Sequence, residues 1–264
     1  MKIVVVSPHR DDAALSLALS IDSWLARRHA VQVLNCFTRS EYAPYSDVES
    51  LHANDRSSFV TATRKREDMA WNKLLNRQIQ FTDLDMFDAP TRLACTVEET
   101  LTLPIRAGDR AVARVAGALA KLARVGSPET LAIALPLGVG GQVDHRVVRQ
   151  AGLEALAGTP IPIAFYEDLP YAARPSGAAE VVEQVDAIGL SLQPAFADGV
   201  LDRVSDAVLR KRRVAECYDS QIDSEVAAQV ADFCIPYGGR ERVWANAAWI
   251  QSVLGAAESS NTSA

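Results

Sequence analysis

Short apolar runs alternating with helical stretches constrain this chain of 264 residues more than any other feature. Ile3-Val4-Val5-Val6 opens the series, inside a strand expected over residues 2–7. Further strands are expected over 31–37, 78–81, 130–135 and 162–166, with helices over 13–28, 61–75, 109–125 and 144–156 between them. Continuous apolar runs, unlike alternating ones, suit strands buried on both faces. Strands that alternate with helices pair in parallel through right-handed crossovers. The expected fold is therefore α/β: a Rossmann-like, mostly parallel sheet flanked by helices. After Pro170 the rhythm changes: residues 180–186 and 189–193 look like added strands, and 202–217 and 224–233 look helical. No linker interrupts the chain, so a single domain is expected over residues 1–257, followed by a polar tail at 258–264.

Chemistry collects where two of these strands end. The first strand runs into Ser7-Pro8-His9-Arg10-Asp11-Asp12. Open α/β sheets place their reactive groups just beyond the carboxyl ends of the strands. His9 and Asp12 are close enough in sequence for one turn to bring both to a single ion, and imidazole with carboxylate suits Zn²⁺. Asp12 also sits where a carboxylate could cap the following helix. A cap, however, needs no imidazole beside two acids.

The strand 130–135 leads into a glycine-rich loop, then Gln142-Val143-Asp144-His145 and a helix. A histidine thus stands at a strand-to-helix corner twice in a chain with four histidines. His29 and His52 lack such a context and read as surface residues. Arg64 lies on a half-exposed helix, where pairing with Glu67 or Asp68 would be ordinary. Asp88, ahead of Ala89-Pro90, is a natural turn residue.

His9-Arg10-Asp11-Asp12 resembles the His-Pro-Asp-Asp motif of the LmbE/PIG-L family of zinc-dependent N-deacetylases, and Gln142-Val143-Asp144-His145 resembles that family's His-x-Asp-His. Arg64 to Asp68, Asp88 to Pro90, Tyr166 to Tyr171 and Lys211 to Gln221 are also similar to family segments. The resemblance implies an LmbE-like fold with His9, Asp12 and His145 as ligands of Zn²⁺, or of Fe²⁺. It implies Asp11 as the general base, and Arg64 and Asp88 as groups that hold sugar hydroxyls. The implied reaction removes an acetyl group from an N-acetylated amino sugar or its small-molecule conjugate. An amidase for a larger acyl group and a non-catalytic binding protein on the same fold are the alternatives.

Three positions depart from the family pattern. Arg10 stands for Pro and Ala13 for Glu, neither at a ligand position. Gln142 stands where the family has a histidine, and its amide can donate a hydrogen bond but cannot titrate. Gln142 is therefore expected to serve as an oxyanion donor, leaving Asp11 to act as base and then acid.

The remaining chemistry is sparse. No Gly-x-Ser-x-Gly elbow surrounds Ser7 or Ser16, and the glycines at 138, 140 and 141 match neither a dinucleotide fingerprint nor a phosphate loop. A formal charge of −6 argues against a nucleic-acid partner. Cys36, Cys95, Cys217 and Cys234 form no Cys-x-x-Cys pair and read as free thiols. No apolar run is long enough to span a membrane, so a cytoplasmic location is expected. The sequence leaves a homo-oligomer open. The long loop 38–59 is a candidate lid or rim of the site.

Overall fold

The computed structural model describes residues 1–156, 158–173, 177–186 and 189–255; the tail expected at 258–264 lies outside them. Seven strands form one sheet: β1 (Lys2–Ser7), β2 (Ala30–Asn35), β3 (Ile79–Asp83), β4 (Leu131–Pro136), β5 (Ile163–Tyr166), β6 (Gln193–Phe196) and β7 (Arg242–Ala245). Their order is β3-β2-β1-β4-β5-β7-β6. The first five run parallel, and β7 is antiparallel to both β5 and β6.

Successive side chains of a strand point to opposite faces, and each face has its own core. Ile3 and Val5 of β1 pack with Leu17 and Ile21 of α1 (Asp12–Ala26) and with Trp71 of α2 (Ala53–Leu74). Val4 and Val6 pack with Val115 and Leu119 of α4 (Arg110–Val125) and with Val147 and Val148 of α5 (Val143–Leu156). Both faces are covered, which is why these strands carry no alternating polar residues.

Strand order reverses between β1 and β4. Their following connections leave toward opposite sides and open a crevice at the carboxyl ends, the usual ligand position in such sheets. The loop from β4 to α5 is shaped by glycine. Gly138, Gly140 and Gly141 all have φ near +80° (79°, 84° and 79°). A Cβ on Gly140 would also lie 2.6 Å from Cβ of Tyr171.

The structure corrects three expectations. Residues 180–186 are not a strand but part of helix α6 (Ala178–Asp186), whose Ala178, Val182 and Val185 recur at helical spacing and are buried. The strand expected at 189–193 lies further on, as β6, and β7 was not anticipated. Helix α2 begins at Ala53, so the expected loop 38–59 ends early. Its first residues are exposed and carry no apolar periodicity, and the signal for its start is a cap, His52 Nδ1 accepting from the Asn54 N–H at 3.3 Å.

The chain after β5 is tied to the first half by buried polar contacts. On α7 (Val204–Ala215), the fully buried Lys211 pairs with Glu241 and donates to the Leu15 carbonyl at 2.7 Å, beside the kink in α1 at Leu17. Glu241 in turn accepts from the Ser20 N–H at 2.9 Å. Among the described residues no helix is long and apolar enough to cross a membrane.

Candidate metal centre

His9, Asp12 and His145 each offer one ligand atom, and these atoms lie within 4.8 Å of one another. The turn after β1 sets two of them. Ser7 Oγ accepts from the Ala13 N–H at 3.0 Å, and Asp12 Oδ2 accepts from the His9 N–H at 2.7 Å. Asp12 therefore reaches back to its own turn and makes no cap to α1. The third candidate, His145, is carried by the first turn of α5.

Each imidazole is oriented by a buried carboxylate. His145 Nδ1 lies 2.6 Å from Asp168 Oδ1, and Asp168 Oδ2 accepts from the N–H groups of Gly138 and Val139 at 2.7 and 3.0 Å. His9 Nε2 lies 3.1 Å from Asp144 Oδ2, and Asp144 is held by Arg92 at 2.5 Å and by the Ala89 N–H at 2.8 Å. A ring nitrogen that donates to a carboxylate leaves the other nitrogen free to coordinate. In His145 that other atom, Nε2, is buried without a hydrogen-bond partner and lies 3.4 Å from Asp12 Oδ1.

The electrostatics of the cluster favour positive charge. Burial alone would lower the His9 pKa, but Asp12 and Asp144 outweigh it and raise it to about 10. His145 is also raised, with burial opposed by Asp12 and Asp168. Burial would raise the Asp12 pKa, yet the two imidazoles hold it below its ordinary value. Carboxylates surround two imidazoles that favour positive charge, and a cation would supply that charge. Two imidazole nitrogens and one carboxylate oxygen, with an open side toward a cavity, match the donor set of catalytic zinc sites.

That cavity has a volume of about 220 Å³ and is lined by all seven residues singled out in the sequence: His9, Asp11, Asp12, Arg64, Asp88, Gln142 and His145. One pairing differs from expectation, that of Arg64. Arg64 pairs with Asp11, at 2.5 Å, not with Glu67 or Asp68. Glu67 accepts from the Ser220 N–H at 2.9 Å, and Asp68 pairs with Arg10 at 2.5 Å. Asp88 caps the short helix α3 (Ala89–Leu93), with Oδ1 accepting from the Thr91 N–H at 3.3 Å. Gln142 Oε1 accepts from the Asp144 and His145 N–H groups at 2.5 and 3.3 Å. It thereby caps the first turn of α5.

Other contributors were not singled out in the sequence. Asp168 and Asp144 orient the two imidazoles; only their place beside recognisable motifs could have pointed to them. Arg10, which replaces the expected Pro, is buried and bridges Asp68 and Asp83 at 2.5 and 2.6 Å, joining the ligand turn to α2 and β3. Tyr171 lines the cavity with its ring edge-on to His145, 5.7 Å between centroids. The loop after β2 supplies Ser40, Tyr42 and Tyr45, so the expected rim exists. The opposite wall comes from Gln221, Ile222 and Val226, late in the chain.

The chain is 31% identical over 229 residues to a 2'-N-acetylparomamine deacetylase of Streptomyces fradiae, covering 85% of this chain and 75% of that protein. The crystal structure of a zinc-inhibited form of teicoplanin deacetylase matches with a TM-score of 0.63 at 21% identity, over 93% of this chain and 97% of the other. A 4-carboxy-2-hydroxymuconate hydratase of Pseudomonas putida matches with a TM-score of 0.51 at 13% identity, over 93% of this chain and 95% of the other. The two structural matches share the fold while carrying different reactions, so the fold alone does not set the chemistry. Residues 4–156, more than half of the chain and the part that holds all seven candidate residues, match the family model described as PIG-L, GlcNAc-PI de-N-acetylase, and the chain belongs to that family.

Proposed function

We propose that this protein is a metal-dependent N-deacetylase that removes the acetyl group of an N-acetylated amino sugar or a small-molecule conjugate of one. The observation that carries this reading is the orphaned His145 Nε2, grouped with ligand atoms of His9 and Asp12 in a cavity that Asp11 also lines. Family membership and the named activity of the Streptomyces relative support it. Zn²⁺ is the metal that suits this donor set best, and when bound it would supply Lewis acidity and lower the pKa of water toward about 7.

The chain's own groups then have separable tasks. Arg64 fixes one oxygen of Asp11 by its ion pair, and the other oxygen takes the proton of the attacking water. As oxygen bonds to the acetamide carbon, charge grows on the carbonyl oxygen, and the Gln142 Nε2–H donates to it. Anchoring of Oε1 on α5 leaves that donor pre-oriented. Asp11 returns the proton to the departing nitrogen, the C–N bond breaks, and acetate and a free amine leave. Asp88 and Arg64 hold sugar hydroxyls at the mouth of the cavity.

The test is release of primary amine from N-acetylglucosamine conjugates by zinc-loaded protein, with Asp11→Asn beside it. The variant is expected to keep its metal and to lose about 10²–10⁴-fold in kcat, the range for a general acid–base group. A zinc-loaded wild type that releases no amine from any N-acetylated sugar would end this reading.

A further inference from the structure

Arg10 departs from the family's Pro, and it lies between His9 and Asp11 in the turn after β1. Its Nη1 donates to Asp68 Oδ2 of α2 at 2.5 Å, and its Nη2 donates to Asp83 Oδ2 of β3 at 2.6 Å. We propose that Arg10 is a positioning residue for Asp11. It locks the turn to α2, so that Arg64 holds one oxygen of Asp11 and leaves the other for the attacking water. The proposal rests on the deacetylase reading, in which Asp11 is the base, and adds a residue that acts through that base without touching substrate.

Three observations support this role. First, Arg10 and Asp11 are neighbours in the turn, and their partners Asp68 and Arg64 are one helical turn apart on α2, stacked on one face. The two ion pairs run in opposite sense: a cation of the turn meets an anion of the helix, and an anion of the turn meets a cation of the helix. A slip of α2 by one turn would set Asp11 against Asp68, or Arg10 against Arg64. Like charges placed together are costly, so the pattern admits one register. Second, the planar guanidinium reaches two carboxylates at once, which an ammonium does not do as a rigid fork. The same two carboxylates both accept from Asn35 Nδ2, at 3.3 Å each, and Asp68 Oδ1 accepts from the Tyr218 hydroxyl at 3.0 Å. The receiving end of the lock is therefore itself held. Third, Arg10 and Asp68 are 2% and 1% exposed. Burial pushes the Asp68 carboxyl up to about 7, and Arg10 opposes that rise.

A buried ion pair adds little net stability over an apolar pair of the same volume, so stability does not account for placing one here. Orientation does. Arg10 is joined to Asp11 by a single peptide, and a reacting group displaced by about 1 Å can lose about 10²-fold in rate.

The experiment replaces the buried pair by apolar volume, Arg10→Met with Asp68→Leu, and follows amine release from an N-acetylated amino sugar on zinc-loaded protein. The double variant is expected to fold and to bind one zinc per chain. Its kcat should fall about 10–100-fold, with KM within about twofold of the wild type. Arg10→Lys, which keeps the charge and one rung, should lie between the two. Should the double variant fail to fold, Asp68→Asn, which keeps the volume and removes the charge, is read by the same split. A kcat per bound zinc within about twofold of the wild type would overturn the proposal, and so would an Arg10→Lys no faster than the apolar pair. A wild type that releases no amine would strike the deacetylase reading instead. The lock is then judged without activity, by urea unfolding of Arg64→Met in the wild-type and apolar-pair backgrounds. Coupled rungs should make its effect on the unfolding constant differ at least about tenfold between backgrounds, whereas agreement within about twofold, the mark of independent sites, overturns the proposal.

Discussion

The parallel half of the molecule, β1 to β5, and the segment after β5 do different work for one cavity. The first half supplies His9, Asp11, Asp12, Asp88, Gln142 and His145 from turns that follow strands or open helices, and Arg64 from the middle of α2. The second supplies a wall of Gln221, Ile222 and Val226 and a set of buried braces. Those braces reach the site indirectly. Tyr218 donates to Asp68 at 3.0 Å, and Asp68 holds Arg10 in the ligand turn. Arg210 pairs with Asp22 of α1, and Lys211 reaches Leu15. Reactive groups thus sit on rigid strand ends, while the later chain fixes the shape around them.

Substitutions should separate the two halves. The largest effect is expected from His145→Ala, which removes a ligand from the first half. Metal should be lost and kcat should fall at least about 10³-fold, as for loss of a principal catalytic component, with little change in circular dichroism. In the second half, Lys211→Met leaves Glu241 buried without its partner. Breaking a buried pair costs about 3–5 kcal/mol, read as a lower urea midpoint, while one metal per folded chain is retained.

Gln142→Ala tests a residue that serves fold and chemistry together. Loss of an oxyanion donor should cost about 10²–10³-fold in kcat, and loss of the cap about 1 kcal/mol of stability. Gln142→His should keep the donor, add a titrating group and alter the pH profile. Asp168→Asn acts through His145 and should weaken metal binding or activity about 10–100-fold.

The smallest effect is in pH. Against the opposing effect of burial, Asp12 and Asp144 raise the His9 pKa to about 10. That contribution to stability is complete below the unfolded value of about 6.5 and is lost as pH rises through about 10. Tm of chelated protein should fall between pH 7 and 9. Zinc needs the neutral imidazole, so the Tm gain on adding zinc should grow over the same interval.

The contrast between the halves also explains what could be read from the sequence. Ile3 to Val6 and Leu131 to Leu135 are apolar on both faces, and their ligands follow within a few residues, so local reading suffices. Arg64 and Asp88 were legible only through family likeness, because their partners, Asp11 and the cavity, lie far away in the chain. Gln142 was readable as a departure, but its anchoring on α5 was not, since a glutamine cap has weak sequence preference. In the second half, β7 lies between β5 and β6, an order that adjacent segments do not announce. Residues 180–186 were misread because Val181 and Val182 suggest a strand, whereas the buried set Ala178, Val182 and Val185 follows the helical period. The replacement of Pro by Arg10 carries no hint of Asp68 and Asp83, which are distant in sequence.

The most direct test is a zinc titration of chelated protein in which bound metal and amine release from an N-acetylated amino sugar are followed on the same samples. The account predicts a silent metal-free protein, activity rising to a plateau at about one zinc per chain, and neither tight binding nor activity in His145→Ala. Full activity without metal, or unchanged zinc binding in His145→Ala, would contradict it.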